Sequence, residues 1–274
     1  MTSTWTASAG DASVTVDVDR GCRLSSLVVR GRELLVGDAS RGELEWGCYP
    51  MAPFAGRVRH GRFSFDGEAY QLPCNLPPHA IHGYAMGLPW SPVDAVAGAL
   101  SGVWTVSLRG TAWPFSCRVV HRIALAGDGS SLSLVLEVHA DDGPMPASCG
   151  WHPWWRRPVD VSFDADRMWR RDAEGIPDGT FVAPPPGPWD DCFTALRSAP
   201  VLTFDDGDGR GPGPVVTIET TCPQLVVYDE RDDAVCVEPQ THPPDALNLG
   251  AAVVEPGAPL VAALTLRWDR PGFA

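Results

Sequence analysis

The chain has 274 residues, 44% of them hydrophobic, and carries 21 basic side chains against 34 acidic ones for a net charge of -13. That acidity excludes nucleic acid as a partner, because phosphate backbones are bound by cationic surfaces. No run approaches the ~20 apolar residues of a membrane helix. All 21 basic residues are Arg, and without Lys every mechanism that needs a Lys Schiff base or a P-loop Lys is removed.

The N-terminus lacks a basic region followed by an apolar core, so no secretory leader is expected and a cytoplasmic protein is the default. Alternating or β-rich segments then recur along the chain: Ser13 to Val18, Leu24 to Val29 and Arg62 to Phe65. Asp66-Gly67 supplies the residues of a tight hairpin, after which Tyr70 and Leu72 resume the alternation. Strands are further predicted at Val103 to Leu108, Arg118 to Leu125 and Leu132 to His139, the last two separated by the turn residues Gly127 to Ser130. The Pro-rich APPPGPWD segment, residues 183 to 190, reads as a rigid loop presenting Trp189 and Asp190 or as a linker. Strands follow at Val215 to Glu219, Leu225 to Tyr228, Ala234 to Glu238 and Leu260 to Trp268. With 28 Gly and 27 Pro, long helices are disfavoured, so the fold class is all-β, a sandwich or a barrel. A single domain over residues 1–274 is the economical organisation. The eight cysteines lack the close pairs of zinc sites and read as free thiols.

Chemistry concentrates in a few stretches. Tyr49 to Trp90 holds Arg57 in a loop ahead of the Phe63/Phe65 strand, the Asp66-Gly67 hairpin and the segment HAIHG. His152 lies in CGWHPWWRRP, among Trp151, Trp154 and Trp155, where an imidazole is either a core residue or an acid/base group. Glu238 closes AVCVE, where Ala234, Cys236 and Glu238 share one face of a strand and Val235 and Val237 the other. By residue type alone it is either a solvated strand-end acid or a perturbed one. The pair His79 and His82 invites a metal, but no third ligand stands at usable spacing, and no metal or other cofactor is expected.

In their order these segments resemble the aldose 1-epimerase (galactose mutarotase) family. Its members carry an Asn-Arg pair before a GRF-like strand, a DG hairpin, a loop ending in His-Gly, and a Glu-x-Gln followed by Pro-Asp-Ala and an Asn. The resemblance runs from about Gly21 to Trp268 and implies a large single-domain antiparallel β-sandwich of the galactose mutarotase-like supersandwich type. It further implies that Glu238 takes the proton of the anomeric hydroxyl, that His152 protonates the ring oxygen, and that His82 contacts the sugar near it. Arg57 and Asp190, with Asp191 the weaker candidate, would hold sugar hydroxyls, while Trp154, Trp155 or Trp189 would cover the apolar face of a pyranose. Two positions depart from the pattern: Gly56 stands where the family has Asn, and Val226 where better-known relatives have Gln.

The expected activity is therefore interconversion of the α and β anomers of a free hexose or related aldose, with a small sugar as the partner molecule. Two alternatives stand beside it. One is epimerisation of a phosphorylated hexose, with Arg156, Arg157 or Arg59 on the phosphate, and the other is a carbohydrate-binding protein without catalysis.

Overall fold

Two large antiparallel sheets dominate the computed structural model, which describes residues 3–205 and 213–268. In the larger sheet the order is Thr4–Ala9, Ala12–Asp17, Arg23–Val29, Cys48–Met51, Gly150–Arg156, Ala234–Gln240, Gln224–Tyr228, Asp190–Leu196, Ala165–Arg171 and Pro177–Val182. The second sheet runs Ser91–Ala95, Ser101–Ser107, Cys117–Leu125, Ser131–Ala140, Leu260–Trp268, Val215–Thr220, Val201–Phe204 and Val159–Ser162. The strands predicted from alternation are all present, within two residues at each end. The fold is the all-β sandwich that the resemblance implied.

Alternation explains how the sheets meet. Ser131–Ala140 buries Leu132, Leu134, Leu136 and Val138, and Leu260–Trp268 adds Ala262, Leu264 and Leu266. Against them the larger sheet sets Val14, Leu24, Trp151, Trp155, Val235 and Val237 in one continuous core. Burying apolar surface at ~25 cal/mol per Å² makes this interface the main source of stability. All eight cysteines are free, and all but Cys74 are buried as small hydrophobes.

The opposite face of the larger sheet carries the polar residues of interest. Because successive side chains point to opposite faces, Trp151 and Trp155 enter the core while His152 and Trp154 face away from it. Val235 and Val237 likewise leave Cys236, Glu238 and Gln240 on the other side. Between the two strands the ladder pairs Gly150 with Gln240 and Trp154 with Cys236. The same register sets His152 across from Glu238. Pro153 and Pro239 flank that position, and neither has an N–H to give to a ladder.

Over this face fold the short pair Arg57–Val58 with Ala80–Ile81 and the hairpin Arg62–Phe65 with Glu68–Gln71. The hairpin turns at Asp66 and Gly67, both at positive φ, as the two-residue loop predicts. Among the described residues no helix is long and apolar enough to cross a membrane.

Candidate active site

A cavity of about 350 Å³ opens above the middle of this face. Its polar wall is made by His82, His152, Glu238, Gln240, Arg57 and Asp190. Tyr49, Trp154, Val226 and Tyr228 line it beside them, as do Leu44, Glu45, Glu230 and Arg231. Folding thus brings together Glu238, His152, His82, Arg57, Asp190 and Trp154 from distant parts of the chain.

Glu238 is 2% exposed. Its Oε1 lies 3.3 Å from His152 Nε2, and its Oε2 accepts a hydrogen bond from Gln240 Nε2 at 3.2 Å. Burial pushes the carboxyl well above its usual range, the Asp190 charge adds to this, and Arg57 and Gln240 oppose it. His152 is driven down to about 3, chiefly by burial, with the Arg23 charge adding to the effect. Both shifts favour the uncharged forms, so the pair carries one titratable proton, which resides on the carboxyl.

His82 is held differently. Its backbone is left-handed, at φ 59, and its amide donates to the Gly56 carbonyl while the Gly56 amide donates to its Nδ1. Burial, followed by the His152 and Arg57 charges, holds this imidazole well below its usual range. The neutral ring with Nδ1 accepting keeps its proton on Nε2. Gly83 is required next, because a Cβ there would lie 2.1 Å from the Ala52 carbonyl oxygen.

The sequence offered no third metal ligand near His82, yet the fold supplies a trio. His82, His152 and Glu238 place ligand atoms within 4.8 Å of one another. Two imidazoles and a carboxylate are a zinc-type donor set. A ligating imidazole, however, donates its second N–H outward, whereas His82 accepts at that nitrogen. The trio fits an acid/base site better than a metal. His79 stands apart, its Nδ1 accepting from the His60 amide.

Arg57 and Asp190 are bonded to each other at 3.2 Å, and Arg171 Nη1 reaches the same carboxylate oxygen at 3.1 Å while its Nε meets Asp191 at 2.7 Å. Asp191 does not line the cavity. Trp189 does not line it either: its ring packs on Phe163 and Phe193, and its Nε1 donates to the Pro185 carbonyl. The expected sugar-covering role for Trp189 fails by strand alternation, since its neighbour Asp190 takes the cavity side. Trp155 is buried against Phe204 in the core. Gly56 adjoins Pro244, whose Cα would lie 2.8 Å from any Cβ, so the amide side chain that the pattern expects has no room here.

Sequence reasoning missed Arg171, Arg231, Tyr49 and Gln240. Gln240 was within reach, two residues beyond Glu238 on the same face. Arg171 and Arg231 carry no local signal.

The sequence matches the aldose 1-epimerase family over residues 3–267. The chain belongs to that family. The uncharacterised protein YphB of Escherichia coli K12 is 25% identical over 222 residues, which cover 72% of this chain and 74% of that protein. Rat galactose mutarotase is 34% identical over 85 residues, 26% of this chain and 25% of the rat protein. The GalM/aldose epimerase homologue from C. elegans shares the fold, with a TM-score of 0.82 at 15% identity, covering 99% of this chain and all of that one.

Proposed function

We propose that this member of the aldose 1-epimerase family interconverts the α and β anomers of a neutral free hexose or related aldose by acid/base ring opening and reclosure. The observation that carries this reading is the contact of Glu238 with His152 at 3.3 Å on the wall of a sugar-sized cavity. Ring opening removes a proton from the anomeric hydroxyl and adds one to the ring oxygen, so it needs one empty group and one loaded group side by side. A buried pair that holds one proton between its members is that inventory. For reaction the pair's titratable proton passes across the 3.3 Å contact from Glu238 to His152. Glu238 then takes the anomeric proton and His152 gives one to the ring oxygen. The aldehyde then rotates about C1–C2, and closure from the other face returns both protons. His82 offers Nε2–H to a sugar oxygen, while Arg57 and Asp190 hold hydroxyls. Positioned acid and base groups each contribute about 10²- to 10⁴-fold, enough without a cofactor. The rat relative's name, galactose mutarotase, supports the same reaction class.

A neutral sugar is favoured over a phosphorylated one by the charges around the cavity. Arg157 spends its guanidinium on the main-chain carbonyls of Asp229, Arg231 and Ala234, and Arg59 is paired with Asp172 and Glu174. Neither lines the cavity, nor does the exposed Arg156. The two lining arginines are already paired, Arg57 with Asp190 and Arg231 with Glu45 and Asp233.

Anomer exchange followed by NMR on glucose, galactose and glucose 6-phosphate tests the reading. Faster exchange is expected for a neutral sugar and little for the phosphate ester. Sugar binding with no acceleration for any aldose would make the protein a binder and end the proposal.

A further inference from the structure

An imidazole that moves protons must be held in one orientation, and the usual device is a hydrogen bond from its second nitrogen to a carbonyl or carboxylate. His152 has no such bond to another residue: its Nδ1 is buried and meets no partner beyond its own backbone. Its ring is in contact with other rings instead. Tyr49, directly opposite on the neighbouring strand, stacks on it at 4.9 Å between centroids and 24° between planes. Trp154, two residues on, stacks at 5.2 Å and 18°. His82 closes the arrangement edge-on at 4.8 Å.

The two stacking rings are themselves tied together. Tyr49 Oη donates to the Leu44 carbonyl at 3.1 Å, and Trp154 Nε1 donates to the same oxygen at 2.8 Å. Burial pushes the Tyr49 hydroxyl well up, so it remains a donor. Arg23 supports Tyr49, its guanidinium 4.9 Å from the ring and fixed by the carbonyls of Arg20, Glu43, Trp46 and Met86. Trp154 also carries the Arg231 guanidinium at 5.5 Å and the Tyr228 ring at 6.1 Å. Its ring surface is taken up by protein groups rather than left free for a pyranose.

We infer that Tyr49 and Trp154 are positioning residues that hold the His152 imidazole by stacking, tied to each other through the Leu44 carbonyl. This rests on the acid role given to His152 above, and it replaces the sugar-covering role expected of Trp154. Ring contacts of this kind stabilise beyond their area burial, enough to choose one ring orientation. They leave Nε2 directed at Glu238 without committing Nδ1.

The test uses the full chain with Tyr49→Phe, Trp154→Phe and the double variant. In ligand-free protein the His152 Hε1 resonance should be displaced by ring currents in the wild type and move in both single variants. With a substrate aldose, kcat should fall about tenfold, the scale of a small misplacement of a catalytic group, while KM stays within about twofold. The double variant should lose little more than the worse single one, since both act through one ring. An unmoved His152 resonance overturns the inference. So does a raised KM at unchanged kcat for Trp154→Phe, which would make Trp154 a sugar platform. Because the spectra need no substrate, an inactive wild type would refute the epimerase reading while leaving the stacking inference to its own result.

Discussion

A carboxyl and an imidazole 3.3 Å apart in a desolvated wall titrate as one unit, and their apparent pKa values belong to the pair. In the proposed mechanism the unit works with one proton. Addition of a second is resisted, because the imidazole is driven down to about 3, and loss of the first is resisted, because the carboxyl is pushed well up. The pH profile of kcat/KM should therefore be bell-shaped, with its acid limb below the ordinary histidine range and its alkaline limb above the ordinary carboxylate range. An acid limb in the ordinary histidine range, near 6.5, would remove the pair from the mechanism. Glu238→Gln, close in shape, should cost at least 10²-fold in anomer exchange without loss of fold. Full activity in that variant would remove Glu238 as the base.

At the level of elements, two strands and one loop assemble the proposed acid/base groups. The strands contribute by register, and the loop by a backbone that only its sequence permits. Gly83, at φ +71, faces the Ala52 carbonyl, which is held in place by the amides of Tyr84 and Ala85. Gly83→Ala should therefore destabilise the fold by about 1–3 kcal/mol, the usual cost of left-handed strain, and more if the 2.1 Å clash with that carbonyl is not relieved. His82 would move with it. Chemical unfolding measures the first effect and anomer exchange by the folded fraction the second, and a variant equal to wild type in both would show that the loop does not depend on this glycine. The HAIHG motif and the Asp66-Gly67 hairpin were legible beforehand because glycine chemistry is local. The Tyr49 contact and the Arg171 bonds to Asp190 and Asp191 were not, because those partners lie far apart in sequence.

Across the whole molecule, one buried histidine links the two sheets beneath the site. Trp151 Nε1 donates to His121 Nε2 at 3.1 Å, which requires a neutral imidazole, and burial lowers that group to about 4. A depressed histidine contributes stability that is present above its unfolded pKa of 6.5 and is lost as pH falls towards 4. The contribution is about 3 kcal/mol at ~1.4 kcal/mol per unit. Urea unfolding at pH 7, 5.5 and 4 should show wild type losing more stability on acidification than His121→Leu. Equal losses would mean that His121 does not couple the sheets to pH. Glu238 has the opposite sign: its raised carboxyl favours the fold at low pH and opposes it as pH rises.

Alternation of apolar residues, turn chemistry and the scarcity of helix stood in the chain itself, because period two and the needs of glycine act over a few residues. The all-β class and the strands followed from those short-range patterns, whereas Glu238, His152 and His82 were singled out by the family resemblance that the order of the motifs carries. Which groups touch is a matter of long-range register. That register put His152 against both Glu238 and Tyr49 and turned Trp189 towards Phe193, while loop packing left Gly56 against Pro244. A single residue's slip in pairing would turn every one of those strand side chains to the other face, and no local pattern records how strands distant in sequence align.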